Sequence, residues 1–429
     1  MQSYALSRRA MLAGAGVAVA ASALPARAQT PVAAQPKPLM DRLVERASEN
    51  RLRMDYQGGR FSGPGWDRLV SEGRAAHFFM VGEEHGVAEV PKLVGQLAAA
   101  LKPAGYERLA IEVSPPMTAE IEKVAKDGYA GLERFMRANA PGVAFYTMRE
   151  EAQMLADVAK GGGYRFWGLD YEIMGDPLLV TRLRAKAPAS AKAPMDALYT
   201  VVTDARAKLL ATRQQQHIFA FAGDPELVRA VRRAWPSPDA ESGWILDTLE
   251  ETLEINQLWT KGQGWASNAR RTAFLRANLR RHWLAEKAAG RAPKTLFKFG
   301  AYHTARGRSG TEVYDIGEFA PAIAELEGSH SYHLLVGAGM DRQVAGINLT
   351  TFGYDPGPSG LYKGAFGAEA LAALAYPDAP TLIDLRPLRP IMSARQTKTA
   401  DPDLVRMIHG FDSMLVLSGS TPSASMMTL

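Results

Sequence analysis

The chain contains no cysteine among its 429 residues. Disulfides, thiolate metal sites, cysteine nucleophiles and a lipidated N-terminal cysteine are therefore all excluded. The motif H-E-x-x-H of zinc peptidases and the motif G-x-S-x-G of serine esterases are also absent from the sequence. These absences leave a water-activating mechanism, or a metal site built from nitrogen and oxygen ligands.

An excess of basic charge is also lacking. The net charge is +5, but Arg8, Arg9 and Arg27 lie in the first 28 residues, which contain no acidic residue. Without that segment the net charge is about +2 (5 minus 3), so binding to nucleic acid or to anionic membranes is not expected. Long apolar runs are missing too, because Ala13–Leu24 is too short for the roughly 20 residues that span a bilayer. We therefore expect no stable membrane insertion.

Residues 1–28 are predicted to be an export signal. The twin arginine precedes the apolar run, and "ARAQT" offers a small-x-small cleavage site after Ala28. We expect the twin-arginine export machinery to transport the protein, which is then released into the periplasm. Residues 29–38, "QTPVAAQPKP", are expected to form a short disordered lead-in to one domain over 39–429.

Short apolar, β-rich runs recur along the chain and end in glycine or an acidic residue. Segments with helical spacing, such as 89–102 and 146–160, lie between the early runs. This alternation predicts an α/β fold with a mostly parallel central sheet flanked by helices. The predicted strands lie within 77–85, 108–114, 164–170, 295–303, 332–339, 381–386 and 413–419.

No convincing strand pattern occurs between about 176 and 290, where long helical patterns with basic outer faces dominate. We interpret this region as a helical insert that caps the C-terminal edge of the sheet. In open α/β sheets, functional groups gather beyond the carboxyl ends of the strands. That edge is therefore expected to carry the site.

The strongest internal signal is a Gly-x-x-His that occurs twice at the end of an apolar strand. "VGEEH" ends at His85 and "FGAYH" ends at His303, 218 positions later (303 minus 85). A glycine can turn the chain sharply, so each histidine is expected to project from its strand tip. If the two strands are neighbours, His85 and His303 meet in one cleft.

Carboxylates occupy comparable positions at strand ends. Glu83 precedes His85 by two residues, Glu112 ends "RLAIEV", Asp170 ends "RFWGLD", and Glu89 lies one helical turn beyond His85. Carboxylates beside imidazoles can orient a base, hold its tautomer or bind a metal. Plainer interpretations stay open here: structural histidines, a glutamate favoured by a helix dipole at Glu89, and a helix cap at Asp170.

Taken in order, these motifs resemble the erythromycin esterase-like family. "VGEEHGVAEV" resembles the family's Gly-Glu…His-Gly-x-x-Glu motif, and a helix and the strand "RLAIEVS" follow it. "FWGLDYE", "RTAFLRAN" and "FKFGAYHTARG" resemble its Gly-x-Asp strand end, its arginine–asparagine helix and its second histidine strand. "LIDLRPL" and "FDSMLVLSGSTPS" resemble its closing segments, so the resemblance covers most of residues 75–422.

The resemblance implies an erythromycin esterase-like α/β domain over 39–429 that hydrolyses an ester or a lactone. In that family a histidine activates water without an obligatory metal, so His85 would be the general base and no cofactor would be required. Glu83 and Glu112 would orient this base or the water, and His303 would assist the substrate or the oxyanion.

The same motifs imply contacts with a small-molecule substrate. These contacts would come from the Glu of the first motif, the strand-end Asp and the helix Arg. They are Glu89, Asp170 and Arg271.

Two related groups in the same superfamily leave two alternative functions open. Gly-Glu-x-His is closer to ChaN-like haem-binding proteins, and the paired Gly-x-x-His is similar to TraB/Tiki metalloproteases. One alternative is a haem- or iron-binding protein without catalysis. The other is metal-dependent hydrolysis, since imidazole and carboxylate ligands suit Zn, Mn or Fe. Its ligands would be His85, His303, Glu83 and Glu112.

Overall fold

A central sheet of eight strands organises the computed structural model, which describes residues 37–143, 145–161, 163–348, 350–392 and 395–426. The strands of the described residues are β1 (Arg51–Arg53), β2 (Asp55–Gln57), β3 (Arg60–Ser62), β4 (Phe78–Glu83), β5 (Tyr106–Ile111), β6 (Arg165–Gly168), β7 (Lys294–Gly300), β8 (Ser331–Ala338), β9 (Gln343–Ile347), β10 (Tyr354–Pro358), β11 (Thr381–Asp384) and β12 (Ser413–Leu417). The order in the sheet is β1-β11-β12-β8-β4-β7-β5-β6. The hairpins β2–β3 and β9–β10 form separate two-stranded sheets.

The six strands from β12 to β6 in this order run parallel, whereas β11 pairs antiparallel with β12, and β1 at the edge pairs antiparallel with β11. The predicted α/β fold with a mostly parallel sheet is confirmed, and all seven predicted strands belong to this sheet. The sequence pattern missed β1 and the two hairpins. These strands are short or largely exposed, so they carry no continuous apolar run.

Helices pack on both faces of the sheet and fill the chain between β6 and β7. The α-helices of the described residues are α1 (Leu39–Glu49), α2 (Pro64–Ala75), α3 (Glu89–Leu101), α4 (Pro115–Ala125), α5 (Tyr129–Ala138), α6 (Arg149–Lys160), α7 (Asp176–Lys186), α8 (Lys192–Thr212), α9 (Phe219–Ala222), α10 (Pro225–Ala234), α11 (Ala240–Thr260), α12 (Gly264–Ala288), α13 (Ala301–Thr304), α14 (Ile316–Leu326), α15 (Glu369–Ala372) and α16 (Pro402–Gly410). The chain from 176 to 288, all of it described, forms helices and short 3-10 turns.

Strand β4 shows how the helical layers are divided. Phe79 and Val81 lie in one core with residues of α3 and α6, whereas Phe78 and Met80 lie in another with residues of α12 and α14. Alternate residues of a strand face opposite sides of its sheet, so a strand covered on both faces is apolar throughout. Polar chemistry can therefore begin only where such a strand ends.

Helix α12 lies along one face of the sheet, whereas we expected the insert to cover the C-terminal edge. Its residues Leu275, Leu279 and Trp283 are four positions apart and are buried in the same core as Phe78. The rings of Trp283 and Phe78 lie 5.6 Å apart at the start of β4. The other end of the helix, with Arg271, reaches the residues after β6. The apolar spacing requires a sheet face to pack against, which explains the difference.

The predicted export signal, residues 1–28, lies outside the described residues, as does the lead-in up to residue 36. Along the part of the chain that the structure describes, no helix is both long and apolar enough to cross a membrane. Export and periplasmic release therefore stay predictions.

Candidate active site

The C-terminal ends of β4, β5 and β7 meet around a cleft of about 240 Å³. Strand β7 pairs with β4 on one side and with β5 on the other, and the register aligns Glu83 with Gly300. Because parallel strands end at the same edge of a sheet, the residues that follow them share this cleft. Its lining consists of Glu83, His85, Glu112, Gly300, Ala301, Tyr302, His303, Leu361 and Ala365.

His85 is held between two carboxylates. Its Nδ1 lies 2.8 Å from Oε1 of Glu83, and its Nε2 lies 3.5 Å from Oε2 of Glu112. The ring of Phe145 stacks on the imidazole, with centroids 4.1 Å apart and planes 12° from parallel. An ionised Glu83 accepts the Nδ1–H, which leaves Nε2 as the nitrogen that can take a proton.

His303 repeats this arrangement, with Asp315 in the place of Glu83. Its Nδ1 lies 2.7 Å from Oδ2 of Asp315, and its Nε2 lies 3.4 Å from Oε1 of Glu112. The histidine is on α13, a single turn directly after β7. The structure therefore brings His85 and His303 together, with their Nε2 atoms directed at the two oxygens of one carboxylate.

Glu112 is the buried centre of the site. Its Oε2 accepts a hydrogen bond from the backbone N–H of Gly300 at 2.7 Å, and its Oε1 accepts one from Nη2 of Arg271 at 3.1 Å. Burial by itself raises the pKa of Glu112, but the charges of His303 and His85 hold this pKa well below its usual range. Glu112 is thus a fixed negative charge at neutral pH.

Neighbouring carboxylates raise the pKa of both histidines, and Glu112 acts on each of them. Burial lowers the pKa of His85, but Glu112 and Glu83 more than reverse this effect, and the pKa is about 9. Burial also lowers the pKa of His303, but the charges of Asp315 and Glu112 more than reverse this effect, and the pKa is about 10. Both imidazoles are therefore mostly protonated at neutral pH, and His85 becomes a base as the pH rises.

Asp170 and Arg271, both predicted to contact the substrate, form a bidentate ion pair behind Glu112. Nε of Arg271 lies 3.0 Å from Oδ1 of Asp170, and Nη2 donates to both Asp170 and Glu112. Neither side chain lines the cleft, and Asp170 is only 2% exposed. This ion pair holds Glu112 in place, and the predicted substrate contacts of its two side chains stay predictions.

Glu89 also lies outside the cleft. The two carboxylate oxygens of Glu89 accept hydrogen bonds from Thr421, one from its backbone N–H at 2.9 Å and one from its hydroxyl at 3.0 Å. The N–H of Ser423 donates to the carbonyl of Gly86 at 2.8 Å in the same region. The carboxylate of Glu89 therefore fastens this late segment to the loop that follows His85, and its predicted contact with a substrate stays a prediction.

Glu84 has a structural role at the rim of the cleft. Its Oε1 accepts hydrogen bonds from the N–H groups of Gly360 and Leu361 at 2.8 and 3.1 Å, and the hydroxyl of Ser359 donates to the same carboxylate. These contacts fix the start of the π-helical turn Leu361–Ala365, which lines the cleft.

The glycines of the repeated motif allow close packing and do not turn the chain, which corrects our expectation. A Cβ on Gly300 would lie 2.9 Å from Nε2 of His85 and 3.4 Å from Oε2 of Glu112, and one on Gly82 would lie 2.1 Å from Oγ1 of Thr304. Neither glycine has a positive φ. The missing side chain of Gly300 is what lets the imidazole approach β7.

Among the described residues, no group of three or more histidine or carboxylate side chains is arranged to hold a metal ion. In the set His85, His303, Glu83 and Glu112, each Nδ1 faces a carboxylate, and each Nε2 is 3.4–3.5 Å from Glu112. Two ligands that each lie about 2.0–2.2 Å from a zinc ion are themselves about 3.4 Å apart in tetrahedral geometry, and a metal-bound histidine commonly donates its other N–H to a carboxylate. The metal-dependent alternative therefore stays a prediction, which chelation tests.

Two buried charges beneath the site were not singled out from the sequence. Nζ of Lys298 lies 2.6 Å from Oε1 of Glu83 and 2.8 Å from Oε1 of Glu151, and the ring of Tyr146 lies 5.1 Å from it. The available signal was the lysine inside the apolar strand "TLFKFG". A charge at such a position requires a buried partner.

No protein-family model and no curated protein matches the sequence. Among solved structures, a Bacillus cereus protein aligns with a TM-score of 0.58 and 12% identity, over 91% of this chain and all of its own. A mutant of the erythromycin esterase EreC in its open conformation aligns with a TM-score of 0.57 and 12% identity, over 84% of this chain and 95% of its own. A succinoglycan biosynthesis protein aligns with a TM-score of 0.56 and 14% identity, over 90% of this chain and 98% of its own. These similarities confirm, for the fold, the resemblance to erythromycin esterase-like proteins.

Proposed function

We propose that the protein is an exported hydrolase that cleaves an ester or lactone bond with His85 as the general base. The observation that carries this proposal is the pair of imidazoles, His85 and His303, directed at the two oxygens of the buried Glu112 inside a cleft. The fold shared with an erythromycin esterase supports it. The cleft of about 240 Å³ is smaller than most pockets for drug-sized ligands, so we expect it to admit a small ester or the reacting end of a larger one.

In the proposed first step, Nε2 of His85 takes a proton from a water molecule as the water oxygen bonds to the carbonyl carbon. Glu83 holds the Nδ1–H and stabilises the imidazolium that forms. The proton then passes from Nε2 to the leaving alkoxide as the ester C–O bond breaks. The products are an alcohol and a carboxylic acid, which ionises in water.

His303 is the proposed partner of the oxyanion in the tetrahedral intermediate. Asp315 accepts its Nδ1–H, so the imidazolium directs its Nε2–H toward Glu112 at 3.4 Å. This distance is too long for a strong hydrogen bond, which leaves the donor free to bind a developing negative charge. A preorganised donor of this kind contributes about 10²–10³-fold to kcat.

A His85→Gln variant tests the role of the base with a panel of nitrophenyl esters and lactones. Loss of the base should lower kcat by about 10²–10⁴-fold, with folding checked by thermal unfolding. The matched control is His330→Gln, which changes an exposed histidine just before β8 and should keep full activity. Wild-type rates in His85→Gln would exclude His85 as the base, and failure of the wild-type protein to cleave any panel member would count against the function.

For the export step, we propose that the twin arginine directs the protein to the periplasm. Replacing Arg8 and Arg9 together by lysine should leave the chain in the cytoplasm. The wild-type chain should be recovered from the periplasm with Gln29 as its first residue. Cell fractionation and N-terminal sequencing check both outcomes, and periplasmic recovery of the double variant would exclude this route.

A further inference from the structure

Behind His85, three buried charged side chains extend from the cleft into the core: Glu83, Lys298 and Glu151. Each side chain is at most 2% exposed. The register of β4 and β7 pairs Glu83 with Gly300, so Glu83 and Lys298 are diagonal neighbours on one face of the sheet. Helix α6 packs over that face and supplies Glu151.

Lys298 and His85 share a single oxygen of Glu83. Oε1 of Glu83 lies 2.6 Å from Nζ of Lys298 and 2.8 Å from Nδ1 of His85. Oε2 of Glu83 has no hydrogen-bond partner among the described residues. Burial raises the pKa of Glu83, but Lys298 and then His85 reverse this effect, so the pKa lies below its usual value. The carboxylate is thus ionised and accepts both donors through Oε1.

We propose that Lys298 is a positioning residue that keeps Glu83 ionised and thereby keeps a proton on Nδ1 of His85. This inference rests on the proposed function, because His85 can act as the base only if Nε2 is the nitrogen without a proton. Without Lys298, burial would favour the neutral form of Glu83. A neutral Glu83 would donate its O–H to Nδ1, and the imidazole proton would move to Nε2.

Glu151 holds Lys298 from the other side. Its Oε1 lies 2.8 Å from Nζ, whereas its Oε2 has no hydrogen-bond partner in the part of the chain that the structure describes. Burial raises the pKa of Glu151 to about 7, against the opposing charge of Lys298. Lys298 therefore faces one ionised carboxylate and one that is close to half protonated at neutral pH. Removing the charge of Glu151 should therefore disturb His85 less than removing Lys298.

Nitrogen-15 NMR of the eight histidines in the purified protein reads the proton on His85 directly. The signals of His85 are assigned by their loss in His85→Gln. In the wild-type protein Nδ1 should be protonated at both pH 7 and pH 10. In Lys298→Met, Nδ1 should show the shift of an unprotonated nitrogen and Nε2 that of a protonated one. His303, whose Nδ1 partner is Asp315, is the internal reference and should not change.

The kinetic effect should fall on kcat. Lys298→Met should lower kcat by about 10–100-fold, as replacement of a residue that orients a metal-ligating side chain does in metalloenzymes. KM should be nearly unchanged because Lys298 does not line the cleft. The matched control is Lys294→Met on the same strand, where Nζ donates to the carbonyl of Arg74 and lies 5.8 Å from the centre of the Tyr106 ring, away from Glu83 and His85. It should keep wild-type rates. Glu151→Gln should keep the proton on Nδ1 of His85 and lose less activity.

An unchanged Nδ1 signal in Lys298→Met would overturn the inference even if activity were lost, because the loss would then reflect packing alone. If that variant does not fold, Lys298→Met combined with Glu151→Met removes both charges together. In this double variant an unprotonated Nδ1 supports the inference and a protonated one overturns it. A changed Nδ1 signal in a protein that hydrolyses no ester would support the inference while the proposed function fails.

Discussion

The activity of the protein should rise steeply between pH 7 and pH 9. Because the pKa of His85 is about 9, only about 1% of this histidine is neutral at pH 7 and able to take a proton. The value of kcat/KM should therefore increase about tenfold from pH 7 to pH 8 and about 50-fold from pH 7 to pH 9, where about half of this histidine is neutral. A histidine with an ordinary pKa of about 6.5 would instead give a profile that is nearly flat above about pH 7.5.

Replacing Glu112 by Gln tests the physical cause of this dependence. Burial lowers the pKa of His85, and Glu112 is the first of the two carboxylates that reverse the effect. In Glu112→Gln the midpoint of the profile should move to lower pH, although the maximal rate should fall because Glu112 also holds Arg271. The assay is kcat/KM for one ester from pH 6 to pH 10, with spontaneous hydrolysis subtracted. A flat or falling profile in the wild-type protein, or an unchanged midpoint in the variant, would refute the reasoning.

Folding stability offers a check on the same pKa that needs no substrate. The pKa of His85 is higher in the folded protein than in the unfolded chain, where it is about 6.5. Its ion pairs therefore stabilise the fold fully below pH 6.5, and this contribution is lost as the pH rises through 9. The contribution is about 3 kcal/mol. The difference in the free energy of unfolding between wild type and His85→Gln should accordingly shrink from pH 6 to pH 10 in urea titrations.

Three further predictions concern the surroundings of the histidines and the alternative functions. Gly300→Ala should lower kcat sharply, because the added Cβ would lie 2.9 Å from Nε2 of His85. Gly346→Ala is the kinetic control, because the nearest atom to its Cβ would be 3.8 Å away. Glu84→Gln should lower the free energy of unfolding by about 1 kcal/mol in urea, since the exposed N–H of Gly360 and the partly buried N–H of Leu361 lose a charged acceptor. An unchanged midpoint would contradict the contacts described. Chelation should leave ester hydrolysis unchanged, and loss of activity would favour metal-dependent hydrolysis. Haem titration should give no Soret band, and a stoichiometric band would favour haem binding.

The sheet and the meeting of the two histidines could be predicted because both depend on short stretches of sequence. A strand buried on both faces is apolar throughout, as in β4, and its end is marked by the first polar residue. His85 and His303 follow two such ends directly. Parallel strands end at the same edge of a sheet, so the two histidines meet because their strands are neighbours.

The partners of these residues could not be predicted because they depend on tertiary packing. Asp315 caps α14 by accepting the N–H of Ile316 at 2.7 Å, and nothing in that local pattern indicates that its other oxygen holds His303. Lys298 and Glu151 meet only because α6 lies over β7. Glu89 is close to the cleft along the sequence, but its side chain turns to a segment from the other end of the domain.

The hydrogen bonds between Glu89 and Thr421 join residues that are 332 positions apart. A ribosome makes Thr421 332 residues after Glu89, so a growing chain lacks this brace until Thr421 and Ser423 have been made. Chains that stop before Thr421 would contain every residue that lines the cleft and yet leave this loop without its anchor. The order of synthesis therefore delays the anchoring of this loop until Thr421 and Ser423 have been translated.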